Sequence, residues 1–242
     1  MPKTYFVSDA HLGIDRKEVE REKERELIRF LDSVQSDGKQ LFILGDLFDF
    51  WFEYRTVIPK GFHRLLAKLS ELVDTGVELN YLAGNHDFWL GNFFEQEIGM
   101  RVHAEPFSVT IDGVKFFLHH GDGLAGNDLG YRLLKKVLRN RFNIRLYSWL
   151  HPDIGVRLAR FSSRKSRHYT SQKDYGEVDG MMKFAAQKIA EGYNYIVMGH
   201  NHKPVFEKIG NGTYINLGDW ISHYTYGVYD GSSFRLVEWK RR

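Results

Sequence analysis

The sequence predicts an α/β fold in which two sheets pack face to face, and three observations carry that prediction. Short apolar runs recur at Tyr5-Phe6-Val7, Leu41-Phe42-Ile43-Leu44, Leu79-Asn80-Tyr81-Leu82-Ala83, Phe116-Phe117-Leu118 and Tyr195-Ile196-Val197-Met198, the composition of strands covered on both sides. Segments with apolar residues at helical spacing separate several of them, as in βαβ units. The chain then closes in strand hairpins, turned at Asn211-Gly212 and around Asp230-Gly231, which supply the second sheet.

The elements follow in order. The charged run Arg16 to Arg29 continues into Phe30-Leu31 and Val34, so a helix is expected with Leu27, Ile28, Leu31 and Val34 inward and its Glu, Lys and Arg residues solvated. The aromatic stretch Leu47 to Tyr54 has two readings, core or the wall of a pocket. Leu65, Leu66, Leu69, Leu72 and Val73 mark a helix leading through Gly76 to the third strand, and Leu90 to Glu97 a short helix. Ser108 to Ile111 and Val114 to Leu118 flank Asp112-Gly113, a strong hairpin signal. Glu177 to Glu191 is expected to be a helix with Met181, Met182, Phe184, Ala185 and Ile189 toward a sheet.

Between these lies a different segment. Residues 124–176 read as an insert of two or three short helices interrupted at Pro152. From Arg132 to Lys173 there are twelve basic residues against the single acid Asp153, so a chain of formal net charge +3 is a basic insert on an acidic body. A nucleic-acid surface, a solvated lid and a membrane-interface element are all compatible with that composition.

With 242 residues, 43% of them hydrophobic, the chain can bury one sizeable core, and a single domain over 1–242 is expected. The absence of Cys excludes disulfides and thiolate metal sites and fits a reducing cytoplasm. Met1-Pro2-Lys3-Thr4 runs directly into the first strand without a signal peptide, and no apolar run approaches the roughly 18 residues that span a bilayer. A soluble or peripheral protein is expected.

The strand ends carry the chemistry. The five runs lead to Ser8-Asp9-Ala10-His11, Gly45-Asp46, Gly84-Asn85-His86-Asp87, His119-His120-Gly121-Asp122 and Gly199-His200-Asn201-His202. Any one of these could be an ordinary cap or turn. Five together, offering carboxylate, amide and imidazole donors and no thiolate, point to manganese, iron or zinc in a site other than a closed structural one.

That ordered set, Asp9-x-His11, Gly45-Asp46, Gly84-Asn85-His86-Asp87, His120-Gly121-Asp122 and Gly199-His200-x-His202, resembles the calcineurin-like metallophosphoesterases over almost two hundred residues. The resemblance implies a two-sheet αββα sandwich carrying the helical cap and a pair of divalent ions, manganese first and iron or zinc as alternatives. It implies that Asp9, His11, Asp46 and His202 hold one ion, that Asp46, Asn85, His120 and His200 hold the other, and that Asp46 bridges. It further implies that His86 neutralises charge or protonates the leaving group with Asp87 tuning it. Of the adjacent pair His119-His120 only one is expected to be a ligand; His120 matches the His-Gly-Asp pattern, and His119 is expected either to support the ligands or to be structural.

Within that family, the aromatic Leu47 to Tyr54 stretch, Gly91, Asp128, Gly130-Tyr131 and the basic helical insert are similar to the UDP-2,3-diacylglucosamine hydrolases. This implies hydrolysis of a nucleotide-linked glycolipid at its α-phosphate, at the cytoplasmic face of the inner membrane and in peripheral contact with its anionic surface. Apolar residues between Tyr131 and Phe161 would meet the acyl chains, and Asn85, His86, Asp128, Tyr131 and Lys173 the headgroup. The chain departs from many of those hydrolases at His86, where they carry Arg: a titratable ring replaces a permanently charged fork. Two further readings are a nuclease or nucleotide phosphodiesterase using the same metals, and a non-catalytic scaffold, which the complete ligand set disfavours.

Overall fold

The computed structural model describes residues 2–124, 129–159 and 177–241. The body begins with β1 (Lys3–Val7), α1 (Lys17–Asp37), β2 (Gly38–Leu44), α2 (His63–Asp74) and β3 (Glu78–Leu82). A π-helical turn at Phe94–Ile98 leads to β4 (Arg101–His103), and β5 (Phe107–Ile111) and β6 (Val114–Leu118) follow. The cap contributes α3 (Leu129–Leu138) and α4 (Arg141–Tyr147). The chain returns through α5 (Glu177–Ala190) to β7 (Tyr195–Met198), β8 (Val205–Ile209), β9 (Gly212–Asn216), β10 (Thr225–Tyr229) and β11 (Phe234–Glu238).

The first sheet has strand order β11-β10-β1-β2-β3-β4 and the second β5-β6-β7-β9-β8. Strands β1 to β4 run parallel, as do β6, β7 and β9. Side chains alternate across the pleat. In β1 and β2, Tyr5, Val7, Leu41 and Ile43 pack beneath α1 and α2 with Leu27, Phe30, Leu31, Val34, Leu65, Leu69 and Leu72. Their neighbours Phe6, Phe42 and Leu44 face the second sheet, meeting Phe116, Leu118, Val197 and Ile215. Met181 and Ala185 of α5 cover the outer face of that second sheet over Ile196, Met198 and Tyr214. The layers are therefore α, β, β, α, as expected.

The hairpin between β5 and β6 turns at Asp112 (φ 50°) and Gly113 (φ 82°), the two left-handed residues that a twist-matched two-residue turn requires. The aromatic stretch divides its two readings. Leu47, Phe48 and Trp51 belong to the core under α2, whereas the Phe52 ring packs tilted against Tyr147 of the cap at 4.7 Å and edge-to-face with Trp89 at 5.2 Å.

The cap's third helical stretch, residues 152–159, has Pro152 at its start, where a missing N–H costs nothing. The Tyr147 hydroxyl ties it to α4 by donating to the Gly155 carbonyl at 2.6 Å. Among the described residues, no helix is long and apolar enough to cross a membrane.

Two expectations are corrected. Of the closing hairpins, β8–β9 lies in the second sheet, but β10–β11 extends the first through the pairing of β10 with β1. The charged face of α1 is not simply solvated: Lys23, Glu24 and Glu26 are buried. Each has a tertiary partner, since Glu26 accepts from the Trp239 indole at 2.9 Å, Glu24 faces the N–H of Leu65, and Lys23 reaches the loop after β1.

Candidate metal centre

Parallel register brings the strand ends together. Val7 pairs with Ile43 and Leu44 with Leu82, so the turns that follow β1, β2 and β3 emerge side by side. Leu118 pairs with Val197 in the second sheet, which aligns His120 with Gly199 and His200. The two edges meet where the His200 N–H donates to Asp9 Oδ2 at 2.9 Å and His120 Nδ1 donates to the Leu44 carbonyl at 2.8 Å.

The backbone there is forced. Of seven non-glycine residues with left-handed φ among the described residues, five are Asp9, His11, Asp46, His200 and His202. Such conformations cost of order 1 to 3 kcal/mol each and persist only where surrounding structure imposes them. Glycine is required beside them: a Cβ on Gly84 would collide with the Asp46 carboxylate, and one on Gly199 with that of Asp9.

The donor atoms converge. His11 Nε2 lies 3.1 Å from His202 Nε2, 3.6 Å from Asp9 Oδ1 and 3.5 Å from Asp46 Oδ2. Asp46 Oδ2 is 3.4 Å from His120 Nε2, which in turn is 2.8 Å from Asn85 Oδ1. Ligand atoms of Asp9, His11 and His202 lie within 4.8 Å of one another, as do those of Asp46, His120 and His200, and those of His11, Asp46 and His86.

These residues fit divalent cations. Because a carbonyl oxygen can only accept, His120 donates from Nδ1, which leaves Nε2, facing the Asp46 carboxylate and the Asn85 amide oxygen, as the nitrogen that would bind a cation in the neutral ring. Asp9 Oδ1 is buried without a hydrogen-bond partner. Separations of 3.1 to 3.6 Å are those of donors standing about 2.1 Å from a common centre.

The electrostatics agree. Burial works against charge on all four groups. Nevertheless, the imidazoles of His11, His202, His120 and His86 hold the Asp9 and Asp46 carboxyls well below the usual range, and the carboxylates, with that of Asp49 beside His11, push His11 and His120 up to about 10. The pocket is a buried anion that demands positive charge.

A family profile described as calcineurin-like phosphoesterase matches residues 2–204, most of the chain. The chain belongs to the calcineurin-like phosphoesterase family. As a member it is a hydrolase of phosphoester bonds that works with divalent metals. It is 34% identical to the UDP-2,3-diacylglucosamine hydrolase of Porphyromonas gingivalis over 97% of this chain and 96% of that one. Proteins of the same name from Nitrosococcus oceani and Haemophilus influenzae are 32% and 30% identical over 90% and 93% of this chain, covering 87% and 93% of their own lengths. The solved structure of an archaeal phosphodiesterase superposes with a TM-score of 0.50 at 16% identity, covering 98% of this chain and 99% of that one, a likeness of fold.

In this calcineurin-like phosphoesterase, the residues expected at the site fall into three groups. Asp9, His11, Asp46, Asn85, His86, His120, His200 and His202 are gathered by the contacts above. Asp87 is near but differently employed. Its Oδ1 accepts from the N–H groups of Asp46 and Gly84 at 3.1 and 2.9 Å, and its Oδ2 from Phe48 N–H at 3.3 Å and from the Tyr81 hydroxyl. Four donors use both oxygens, so Asp87 fastens two site turns together, and burial pushes its carboxyl up to about 6.

The group facing His86 Nδ1 is Asp49, through its carbonyl at 3.1 Å and its carboxylate at 3.5 Å, which corrects the tuning role expected of Asp87. Burial also lowers the His86 pKa, favouring the neutral ring. Asp128 and Lys173 lie outside the described residues, and so does the side chain of Tyr131, whose backbone is in α3.

His119 is bonded to the backbone of its own turn: its Nδ1 accepts from Gly121 N–H at 2.7 Å, and burial lowers its pKa to about 4. Sequence reasoning missed two carboxylates behind the imidazoles. Asp49 Oδ1 stands 3.7 Å from His11 Nδ1, and Asp219 Oδ2 3.7 Å from His202 Nδ1 and 3.4 Å from His223 Nδ1. Their only sequence signals were their positions, three residues after Asp46 and directly after Gly218.

Proposed function

We propose that this phosphoesterase hydrolyses UDP-2,3-diacylglucosamine at the α-phosphate, giving UMP and 2,3-diacylglucosamine 1-phosphate, at a pair of manganese ions. The observation that carries the chemistry is Asp46 Oδ2, 3.5 Å from His11 Nε2 and 3.4 Å from His120 Nε2, the position of a carboxylate shared by two sites. The substrate follows from relatives of that name aligned over nearly the whole chain.

Asp9, His11 and His202 with Asp46 would hold one ion, and Asn85, His120 and His200 with Asp46 the other. Such a pair polarises phosphoryl oxygens, acidifies water and supports in-line displacement. Asp46 keeps the two ligand sets at a fixed separation, and the His86 N–H, donating to Asp46 Oδ1 at 2.9 Å, holds the carboxylate's other oxygen. Asp49 and Asp219 orient the imidazoles. With its Nδ1 directed at the Asp49 carbonyl, His86 would meet substrate through Nε2. The leaving group here is a phosphate monoester with a last pKa near 6, which departs as an anion, so His86 serves it by a hydrogen bond to developing charge more than by delivering a proton.

The cap supports the lipid half of the reading. Phe142 and Trp149 are 67% and 74% exposed among cationic neighbours, a composition suited to acyl chains and anionic headgroups. Asp128, Tyr131 and Lys173 would contact the nucleotide sugar, and the whole would sit in the cytoplasm, peripheral to the inner membrane.

The test is UMP release by manganese-loaded protein from UDP-2,3-diacylglucosamine in detergent, with UDP-N-acetylglucosamine and a simple phosphodiester as controls. Turnover confined to the acylated substrate is expected. Activity confined to the simple diester would remove the lipid reading and favour a nucleotide phosphodiesterase.

A further inference from the structure

The loop that presents His11 is gripped from outside the site by α1. Within it, Asp9 (φ 54°) and His11 (φ 43°) are both in the left-handed region, which neither residue adopts without compensation. One side of the loop is bonded to the neighbouring turn, with His11 N–H donating to the Asp46 carbonyl at 2.9 Å and Leu12 N–H to that of Leu47 at 3.0 Å. The other side faces a glutamate and a lysine one helical turn apart.

Glu20 Oε2 accepts from Gly13 N–H and its Oε1 from Asp15 N–H, both at 2.7 Å. The Lys23 ammonium donates to the His11 carbonyl itself at 3.1 Å and pairs with Glu20 at 3.2 Å and Asp15 at 3.5 Å. Lysine is rarely buried, yet the Lys23 side chain is only 2% exposed and its partners are acidic side chains and that carbonyl. The pair therefore satisfies the loop in both polarities: the acid takes its N–H groups and the ammonium its carbonyl.

We infer that Glu20 and Lys23 are positioning residues for the metal centre, clasping residues 11–15 so that His11 Nε2 stays within reach of Asp9, Asp46 and His202. The inference rests on the dinuclear reading above. Because His11 is assigned to one ion only, loosening the clasp weakens that ion and spares the other, a selectivity that a general packing role would lack. Groups that orient ligands in this way typically govern 10- to 100-fold in affinity.

The test is calorimetric titration of the metal-stripped full-length protein with Mn2+, comparing wild type with Lys23→Met, which keeps the buried stem, and Glu20→Gln, which turns an amide NH2 toward one of the two loop N–H groups. The wild type is expected to take up two equivalents. In each variant one of the two affinities falls about 10- to 100-fold while the other stays within a few-fold of wild type. kcat at saturating Mn2+ and KM are expected to move little.

A lower melting temperature of the metal-free variants with both affinities unchanged overturns the inference, as does an equal loss at both sites. Should Lys23→Met not fold, Glu20→Gln alone decides between these outcomes. A wild-type protein that takes up fewer than two equivalents overturns the dinuclear reading, and the positioning role with it.

Discussion

Asp46 and Asp87 are both buried carboxylates at the same two turns, and they should fail in different ways. Asp46 has one oxygen between two imidazoles, so Asp46→Ala is expected to lose metal and activity together, by at least about 100-fold in turnover. Asp87 spends both oxygens on three backbone N–H groups and a hydroxyl. Asp87→Asn turns an NH2 toward one of these donors, a loss of about 1 to 3 kcal/mol of stability, while the protein still binds its metals. Metal analysis beside thermal unfolding separates the two, and an Asp87→Asn protein of wild-type stability would contradict the fastening role. The ligands were legible in the sequence because each follows an apolar run within a few residues. Asp49 and Asp219 were not, because what they orient is brought to them only by the fold.

At the scale of elements, local signals were read correctly and distant ones were not. The β5–β6 hairpin was evident from Asp112-Gly113, whose turn chemistry is contained in two residues. Strand β4, three residues beginning with an exposed Arg, has no pattern of its own and exists because β3 offers it an edge. The buried acids of α1 depend on partners as far away as Trp239.

The C-terminal end of α1 gives a further prediction. Asp37 accepts from the Tyr5 hydroxyl at 2.7 Å and pairs with Lys3, tying the helix to β1. Burial alone would raise this carboxyl, but Lys3 and Tyr5 outweigh it and hold it below the usual range. A depressed acid contributes stability above its unfolded pKa near 3.9 and loses it as the pH falls through the lower folded value. With more than a third of the side chain exposed, the contribution is about 0.5 kcal/mol. Wild type should therefore melt about 1 to 2 °C above Asp37→Asn at pH 6 to 8, with the gap closing below about pH 4. A gap that widens on acidification would contradict this assignment.

Over the whole molecule, charge and apolar surface are divided between cap and body. Of twelve exposed large hydrophobic residues among those described, eight fall between Leu133 and Leu158. Two of the cap's cations face inward: Lys135 pairs with Asp122 at 2.6 Å, and Arg139 donates to the carbonyl of Ala104 at 3.1 Å. Trp89 adds a hydrogen bond to the Leu138 carbonyl at 3.0 Å, so α3 is bound to the loops that follow β3 and β6. Farther along, Arg141, Arg145 and Arg157 accompany Phe142, Trp149, Ile154 and Leu158. A surface with both cations and large apolar groups should bind anionic bilayers by two contributions that respond differently to salt. Cosedimentation with phosphatidylglycerol-containing vesicles is expected to weaken, without vanishing, as salt rises from 50 to about 500 mM, because the Debye length contracts while apolar insertion does not. Phe142→Ser with Trp149→Ser should lower the remaining partition at least about 10-fold, given roughly 1.5 to 3 kcal/mol per buried large side chain. Hydrolysis of a small soluble phosphodiester should be unchanged in that variant, since both side chains are largely exposed and neither belongs to the ligand clusters. If the substitutions leave vesicle binding intact, or if salt alone abolishes it, the cap is an electrostatic surface for a soluble polyanion, and its exposed apolar residues have no part in holding lipid.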